Sequence, residues 1–148
     1  MKTLFIYYSY TGNGDLVAER FREKGADVRK VTPKKSLPKS FFLGMLTGGF
    51  LAAIKHKDPL LEWDTSLEGY DQVIVGSPVW NGRISSPINT VLDALKWQDL
   101  SFVLYAGGGA APKAVERLEK EFAFAKVLVL KEPKKYPEEM EKLQVFFD

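Results

Sequence analysis

The segment TLFIYYSYTGNGDLVAER, residues 3–20, decides the fold of this chain. Residues 3–8 are rich in β-branched and aromatic side chains, which is typical of a buried β-strand. Small polar residues and glycines interrupt the run at SYTGNG, and DLVAER then resumes with the apolar spacing of a helix. The segment therefore predicts a strand, a tight loop and a helix, which is the repeating unit of parallel α/β proteins.

Four further runs of similar composition predict strands at residues 26–31, 72–77, 101–106 and 126–131. The runs LFIYY, VIV and FVLY are continuously apolar, as in central parallel strands that helices cover on both faces. ADVRKV instead alternates polar and apolar residues, which indicates an edge strand. The chain is thus expected to form a sheet of five strands, three of which lie in its interior.

Helical patterns lie between and after these strands, and the first is predicted at residues 15–24. Three more helices are expected to begin at prolines, which are favoured in the first turn, namely Pro87, Pro112 and Pro137. The apolar spacing assigns Leu16, Val17 and Phe21 to the inward face of the first helix, and Met140, Leu143 and Phe147 to that of the last. With right-handed crossovers, this alternation predicts an α/β fold: a three-layer doubly wound five-stranded parallel sheet in a single domain, residues 1–148.

The composition excludes several classes of chemistry. The sequence has no cysteine, which excludes disulfides, thiolate metal sites and cysteine nucleophiles, and its one histidine leaves no histidine metal cluster. The net charge of +2 is too small to predict binding to nucleic acid. Met1 and Lys2 lead directly into the first strand without a signal h-region, so a cytoplasmic location is expected.

The segment from Phe41 to Ile54 is apolar on nearly every side and carries no charge. It is too short to span a bilayer, so no transmembrane segment is predicted. The preferred interpretation is a buried or half-buried helix loosened by Gly44, Gly48 and Gly49. The alternative is an apolar patch that meets a membrane surface or a partner subunit, and a homodimer through Phe41 to Ile54 is one form of that expectation.

The loop SYTGNG, residues 9–14, lies between the first strand and the first helix, where a doubly wound fold binds anions. A helix N-terminus leaves backbone N–H groups unpaired and carries about half a positive charge. The loop adds hydroxyls, an amide and glycines that allow close backbone approach, at Ser9, Thr11, Gly12, Asn13 and Gly14. It is therefore predicted to hold a phosphate without a cationic side chain.

Other interpretations of this loop were weighed on the same residues. Asn13-Gly14 is a strong hairpin signal, but DLVAERF has helical spacing instead of the pattern of a second strand. A P-loop needs a lysine that the loop lacks, and a dinucleotide fingerprint needs a third glycine where Val17 stands. A plain structural turn stays open as an alternative.

The loop resembles the phosphate loop of flavodoxins, in which S-x-T-G-N is followed by a helix. The resemblance covers essentially the whole chain in length and strand count, and it implies a flavodoxin-like FMN-binding protein with the strand order 2-1-3-4-5. It further implies that hydroxyls and backbone amides of residues 9–14, Tyr10 included, bind the FMN phosphate. The family mostly has threonine at the position of Gly14, so one hydroxyl contact fewer is expected.

A second loop, GSPVWNGRISSP at residues 76–87, resembles the flavin-flanking loop of flavodoxin-like proteins. Trp80 is expected to stack on the flavin, because a tryptophan at the tip of a glycine-bracketed loop is poorly placed for the core. The alternative is a side chain folded back onto the helix at residues 87–97. Arg83 is expected either to reach the polar edge of the flavin or to lie in solvent. The candidate contacts of this loop are Pro78, Val79, Trp80, Asn81, Gly82 and Arg83.

A third loop, AGGGAAPKA at residues 106–114, is expected to close the other side of the flavin through Gly107, Gly108 and Gly109. It departs from the resemblance, since short-chain flavodoxins usually place a stacking tyrosine and several acids here. This loop has only small residues and then Lys113. Together with Arg83, Lys113 favours an anionic reduced flavin, so a less negative reduction potential than in acidic flavodoxins is expected.

These features favour a small FMN-binding electron carrier that exchanges electrons with redox partner proteins, with the flavin at the carboxyl ends of strands one, three and four. One alternative is an FMN-dependent NAD(P)H oxidoreductase acting on quinones or similar small acceptors, because the glycine loop leaves room for a substrate. A second alternative is a flavin-free binding module that retains the fold, supported only by Gly14 and the missing tyrosine.

Overall fold

The computed structural model, which describes residues 1–95 and 99–147, contains a parallel sheet of five strands. The strands are β1 (Thr3–Tyr7), β2 (Asp27–Lys30), β3 (Gln72–Trp80), β5 (Ser101–Ala106) and β6 (Val127–Lys131), and a short sixth strand, β4 (Arg83–Ile84), pairs antiparallel with the end of β3. The order across the sheet is β2-β1-β3-β5-β6. These five parallel strands are the predicted ones in the predicted order, so the doubly wound sheet is confirmed.

Helices cover both faces of this sheet. They are α1 (Asn13–Glu23), α2 (Phe41–Ala53), α3 (Ser86–Ala94), α4 (Pro112–Glu121) and a C-terminal 3₁₀ helix (Pro137–Phe146). Buried residues of α3 and α4 pack on one face of the sheet, and those of α1 and the 3₁₀ helix pack on the other. This gives the predicted three layers. Helix α3 corresponds to the helix predicted at residues 87–97, and residues 96–97 of that prediction lie outside the described residues.

Strand β1 is buried on both of its faces. Leu4 and Ile6 belong to the core under α3 and α4, and Phe5 and Tyr7 belong to the core under α1. Successive side chains of a strand point to opposite faces, so a strand between two helical layers needs an apolar residue at every position. The edge strand β2 has no buried residue, in agreement with its alternating pattern.

Helix α1 follows Gly12, whose φ of 100° is in the left-handed region that glycine adopts without strain. Val17, Ala18 and Phe21 are buried, but Leu16 is 41% exposed, contrary to its predicted inward position. At about 100° per residue, the buried residues Val17, Phe21 and Ala18 span an arc of about 100°. Leu16 lies about 100° from Val17 on the side opposite to Ala18, so it falls outside this buried arc.

The C-terminal helix corrects a second prediction. Its 3₁₀ geometry has about three residues per turn, so residues three apart share a face. Met140, Leu143 and Phe146 are therefore the buried side chains, whereas α-helical spacing predicts Phe147 in place of Phe146. Phe147 instead packs at the margin of this core and contacts Phe21 edge-on, with 5.2 Å between the ring centroids.

Helix α2 is half-buried, which agrees with the predicted buried or half-buried helix over Phe41 to Ile54, and its large side chains form the exposed apolar patch of the alternative. Its buried residues are small and lie four apart, at Gly44, Gly48 and Ala52. Seven large apolar side chains are instead exposed by 42% to 69%, at Phe41, Phe42, Leu43, Met45, Leu46, Phe50 and Ile54. The glycines therefore provide the packing face of the helix, since their small size lets its backbone lie close to the neighbouring loops. Among the described residues, no helix is long and apolar enough to cross a membrane.

Candidate functional site

Four loops meet at the carboxyl edge of the sheet because they follow strands that are paired side by side. Tyr7 pairs with Gly76, Pro78 with Tyr105, and Ala106 with Lys131. We call the connections after β1, β3, β5 and β6 the first (residues 8–12), second (81–82), third (107–111) and fourth (132–136) loops. The first three contain or adjoin all the predicted flavin contacts, and the fourth was not predicted.

The first loop presents unused hydrogen-bond donors. The Ser9 hydroxyl accepts a hydrogen bond of 3.1 Å from the Gly14 N–H, and the Asn13 amide donates to the Thr11 hydroxyl at 3.4 Å. The backbone N–H groups of Thr11, Gly12 and Asn13 have no acceptor among the described residues. Buried or helix-terminal donors of this kind are normally satisfied, and an anion at the helix N-terminus satisfies several at once.

Lys134 of the fourth loop lies against the first loop, which corrects the prediction of a site without a cation. Its ammonium donates to the Thr11 carbonyl at 3.2 Å, and its backbone N–H donates to the Asn13 side-chain oxygen at 2.9 Å. It is 121 residues from Asn13 in sequence. The position of Lys134 shortly after β6 was the one available signal, because every loop that follows a parallel strand reaches this edge.

Gly14 is glycine for a packing reason. A β-carbon placed on it lies 2.5 Å from the Tyr105 hydroxyl oxygen and 2.8 Å from the Ser9 β-carbon, too close for any side chain without rearrangement. Tyr105 is buried, and its hydroxyl donates to the Tyr8 carbonyl. Gly14 stands where flavodoxins mostly have threonine. The Tyr105 ring takes the space of that side chain and lies against α1. Tyr105 packs in the core.

Asp15, in the first turn of α1, already has partners away from the first loop. Its carboxylate accepts hydrogen bonds from the Tyr7 hydroxyl at 2.7 Å and from the Lys30 ammonium at 2.9 Å. Partial burial alone raises the pKa of Asp15, but these two hydrogen bonds outweigh burial and lower the pKa below its usual value. Burial and the Asp15 contact raise the pKa of Tyr7. Asp15 therefore does not occupy the free N–H groups of the first loop.

Trp80 does not lie at a loop tip, contrary to its predicted placement. It is the last residue of β3, only 4% exposed, and its ring lies against Gly48 of α2. The rings of Tyr8 and Tyr10 meet it edge-on, at centroid distances of 5.7 and 6.1 Å. Trp80 is thus a core residue that supports α2, and it belongs to the same buried cluster as Ile88 and Val91 of α3.

The tip of the second loop is Asn81-Gly82, which turns β3 into β4. Their φ angles of 50° and 73° are both positive, as a two-residue type I′ hairpin turn requires. Arg83 donates a hydrogen bond of 2.9 Å to the Asn81 carbonyl. Pro78 is buried and Val79 is half-buried against Ile84. An Asn-Gly pair is a strong hairpin signal, so β4 was detectable from the sequence but was not predicted.

The third loop leaves open space over the carboxyl edge. Gly107 and Gly108 are exposed, and a β-carbon on Gly108 meets nothing within 4 Å. Gly109 has a φ of 78° and lies against Lys131. A β-carbon on Gly107 lies 3.8 Å from a carboxylate oxygen of Glu132, so the fourth loop brings an acid to an edge where the third loop has none.

The comparison with protein families identifies this chain. Residues 1–135 match the family described as NADPH-dependent FMN reductase. The chain belongs to the NADPH-dependent FMN reductase family. This assignment confirms the predicted flavodoxin-like FMN-binding class and FMN as its cofactor. The individual loop residues of this FMN reductase family member stay predicted contacts.

Solved structures share the fold of this FMN reductase family member at low sequence identity. A flavoprotein of Lactobacillus acidophilus, in complex with FMN, is 21% identical with a TM-score of 0.72, over 93% of this chain and 97% of that one. Candidate flavoproteins of Bacteroides eggerthii and Bacteroides uniformis are each 19% identical, with TM-scores of 0.71 and 0.70. They cover 97% and 88% of this chain, and 96% and 90% of their own. No curated protein matches the chain significantly.

We predict that Lys134→Met weakens FMN binding about fivefold, because an exposed cation that contacts a phosphate contributes on the order of 1 kcal/mol. Lys135→Met is the matched control, since Lys135 lies next in the chain and its ammonium faces the Tyr136 ring. Fluorescence titration of apoprotein with FMN and with riboflavin measures the effect. If Lys134→Met weakens the binding of FMN and of riboflavin, which has no phosphate, by the same factor, Lys134 does not contact the phosphate.

We predict that Trp80→Ala destabilises the apoprotein by about 3 kcal/mol, because it removes a buried ring beneath α2. Denaturant unfolding without flavin measures this effect, and Trp63→Ala, at a half-buried position, is the control with the same change. If Trp80→Ala leaves the unfolding free energy of the apoprotein unchanged and weakens only FMN binding, the assignment of Trp80 to the core is wrong.

Proposed function

We propose that this protein is an NAD(P)H-dependent oxidoreductase that holds FMN as a bound cofactor and passes electrons to small acceptors such as quinones. The observation that carries the proposal is the first loop, where three free N–H groups at the start of α1 lie beside the Lys134 ammonium. This donor set fits a phosphate dianion, because helix-terminal amides and a lysine both bind phosphate oxygens. Membership of the NADPH-dependent FMN reductase family supports NADPH as the electron donor.

The residues of the chain divide into three roles in this proposal. Thr11, Gly12, Asn13 and Lys134 bind the phosphate, and the Ser9 hydroxyl holds the loop by accepting from Gly14. The second and third loops flank the ring, and their backbone groups bind its polar edge. Bound FMN would supply the redox chemistry that connects the nicotinamide to the acceptor, while these residues hold its phosphate and flank its ring.

This type of reaction does not require a histidine base at the edge, and a carboxylate that reaches the edge is that of Glu132 in the fourth loop. The only histidine in the sequence, His56, lies at the end of α2 and is 3.3 Å from Asp58. Burial raises the pKa of Tyr8 to about 12, so its phenol stays protonated near neutral pH. Hydride transfer needs orientation and access more than a protein base, and the glycines of the third loop leave that access open.

The electron carrier that the flavodoxin resemblance implies needs the same FMN site and differs in how the flavin is reduced. A carrier receives electrons from a redox partner protein, whereas a reductase accepts them from NAD(P)H directly. The exposed Gly107 and Gly108 favour the reductase, because they carry no side chain and a β-carbon on Gly108 meets nothing within 4 Å, which leaves room for a substrate. The two functions therefore make opposite predictions for the purified protein.

We predict that the FMN-loaded protein is reduced by NADPH under anaerobic conditions and turns over NADPH with a quinone acceptor. Loss of the oxidised flavin absorbance, followed in a stopped-flow instrument, measures the first step, and NADPH consumption measures turnover. A protein that binds FMN but is reduced only by dithionite is a carrier, and a protein that takes up no FMN is a binding module. Either result would reject the proposed reductase.

A further inference from the structure

Four cationic side chains line one cavity of about 200 Å³ beside the second loop. They come from three elements that are distant in sequence: the end of α2, strand β4 and the first turns of α4. The other lining residues are small or apolar, and the cations are Lys55, Arg83, Lys113 and Arg117. Among the described residues, no acidic one lines this cavity, whereas lysines and glutamates are interleaved over most of the chain.

Most of this positive charge is not neutralised. Arg117 is bound by Glu121 at 3.3 Å and donates to the Asn89 side-chain oxygen at 2.7 Å. Arg83 bonds only the Asn81 carbonyl, and Lys55 and Lys113 have no ion pair, among the residues that the structure describes. These cations repel each other because few counter-charges lie near them. An anion in the cavity would lower this electrostatic energy.

Lys55 also has an unusual backbone. It directly follows the end of α2 and has a φ of 54°, in the left-handed region where glycine is the ordinary residue after a helix. Its N–H donates to the Ala52 carbonyl at 3.1 Å and the His56 N–H donates to the Leu51 carbonyl at 2.9 Å, which are the two hydrogen bonds of a Schellman cap. The cap therefore fixes the backbone of Lys55 beside the cavity that its side chain lines.

We propose that this cavity binds the 2′-phosphate of NADPH and makes the protein prefer NADPH to NADH, which rests on the proposed function. A volume of about 200 Å³ holds roughly six waters at about 30 Å³ each, which is room for a phosphate group but not for a dinucleotide. Arginine offers a fork of donors to phosphate oxygens, and lysine adds point charges. Arg83 connects the cavity to the hairpin of the second loop, so the phosphate end of NADPH binds here while its nicotinamide extends towards the flavin edge.

The test measures the binding of two non-reducing probes to FMN-loaded protein by calorimetry: adenosine 2′,5′-bisphosphate and 5′-AMP. Wild type is expected to bind the bisphosphate at least about tenfold more tightly. The double variant Lys55→Gln/Lys113→Gln is expected to lose most of that preference. Lys120→Gln is the matched control, because Lys120 is on the same helix, α4, but is paired with Glu116 at 2.9 Å outside the cavity.

The outcomes test the phosphate site in the cavity and the proposed reductase function separately. Equal binding of the two probes to wild type, or an unchanged preference in the double variant, overturns the proposal. Inorganic phosphate that competes as well as the bisphosphate indicates an adventitious anion site only and also overturns it. If NADPH does not reduce the flavin but the bisphosphate preference is present and is lost in the double variant, the proposed function fails and the phosphate site stands.

The exposed face of α2 carries a second, independent inference. Six large apolar side chains of α2 and that of Ile54, its C-cap residue, are exposed, and residues 28–57 around them contain no aspartate or glutamate. Lys34, Lys35 and Lys39 precede the helix and have no ion pair among the described residues, and KHK at 55–57 follows it. Of the latter, Lys57 is paired with Asp93 at 2.9 Å.

We infer that this face docks on an anionic membrane surface without crossing it. Exposed apolar patches of this kind mark interaction surfaces, and a helix with basic flanks matches the headgroup region of acidic lipids. A second copy fits less well, because a two-fold contact between antiparallel α2 helices places the basic start of one beside the basic end of the other. Charge complementarity therefore selects the lipid surface.

Co-sedimentation with phosphatidylcholine vesicles, with and without phosphatidylglycerol, tests this inference. Wild type is expected to bind only the anionic vesicles, and Phe42→Ser/Leu46→Ser to bind them at least about tenfold more weakly. Phe124→Ser is the control, because Phe124 is fully exposed outside α2. Absence of binding by wild type overturns the inference. A wild-type dimer that Phe42→Ser/Leu46→Ser converts to a monomer, without vesicle binding, assigns the face to a second copy instead.

Discussion

The candidate site depends on the close approach of α1 to the sheet at Gly14. The absence of a side chain there lets the Tyr105 ring and Ser9 contact the helix backbone directly. Because the Gly14 N–H is bonded to Ser9 and the Tyr105 hydroxyl to the Tyr8 carbonyl, both ends of the first loop are held. The N–H groups of residues 11–13 are left without an acceptor in the part of the chain that the structure describes, and an anion-binding loop needs such free donors.

Small residues have the same effect at a second place, between α2 and the flanking loops. Gly44 and Gly48 allow the helix backbone to lie against Tyr10 and Trp80, so the large side chains of α2 point away from the protein. An apolar segment that contains glycines at intervals of four residues can therefore be exposed and still form a helix. Its stability comes from the contact of the glycine face, while its apolar face is available to another surface.

Electrostatics at the carboxyl edge comes from residues that are far apart in the chain. Lys134 reaches the first loop from beyond β6, and Glu132 reaches the third loop from the same connection. The basic cavity combines side chains from α2, β4 and α4. Each of these charges appears unremarkable in the sequence, since lysine and glutamate are common throughout the chain. These charges act together on an anion only because the fold brings them close to one another.

The sequence by itself determined the parallel sheet and the loop that precedes α1. These features follow from local signals: continuous apolar runs, proline starts of helices and the SYTGNG turn each act within a few residues. It also indicated the FMN-binding family, because the phosphate loop is one contiguous motif, and the resemblance to that family implied the strand order. Tertiary structure alone decided that Trp80 is buried, that the large side chains of α2 are exposed, that Lys134 adjoins the first loop and that four cations share one cavity. Those outcomes depend on which surfaces meet across the sheet, and no local pattern of residue types records the distance between residues that are remote in the chain.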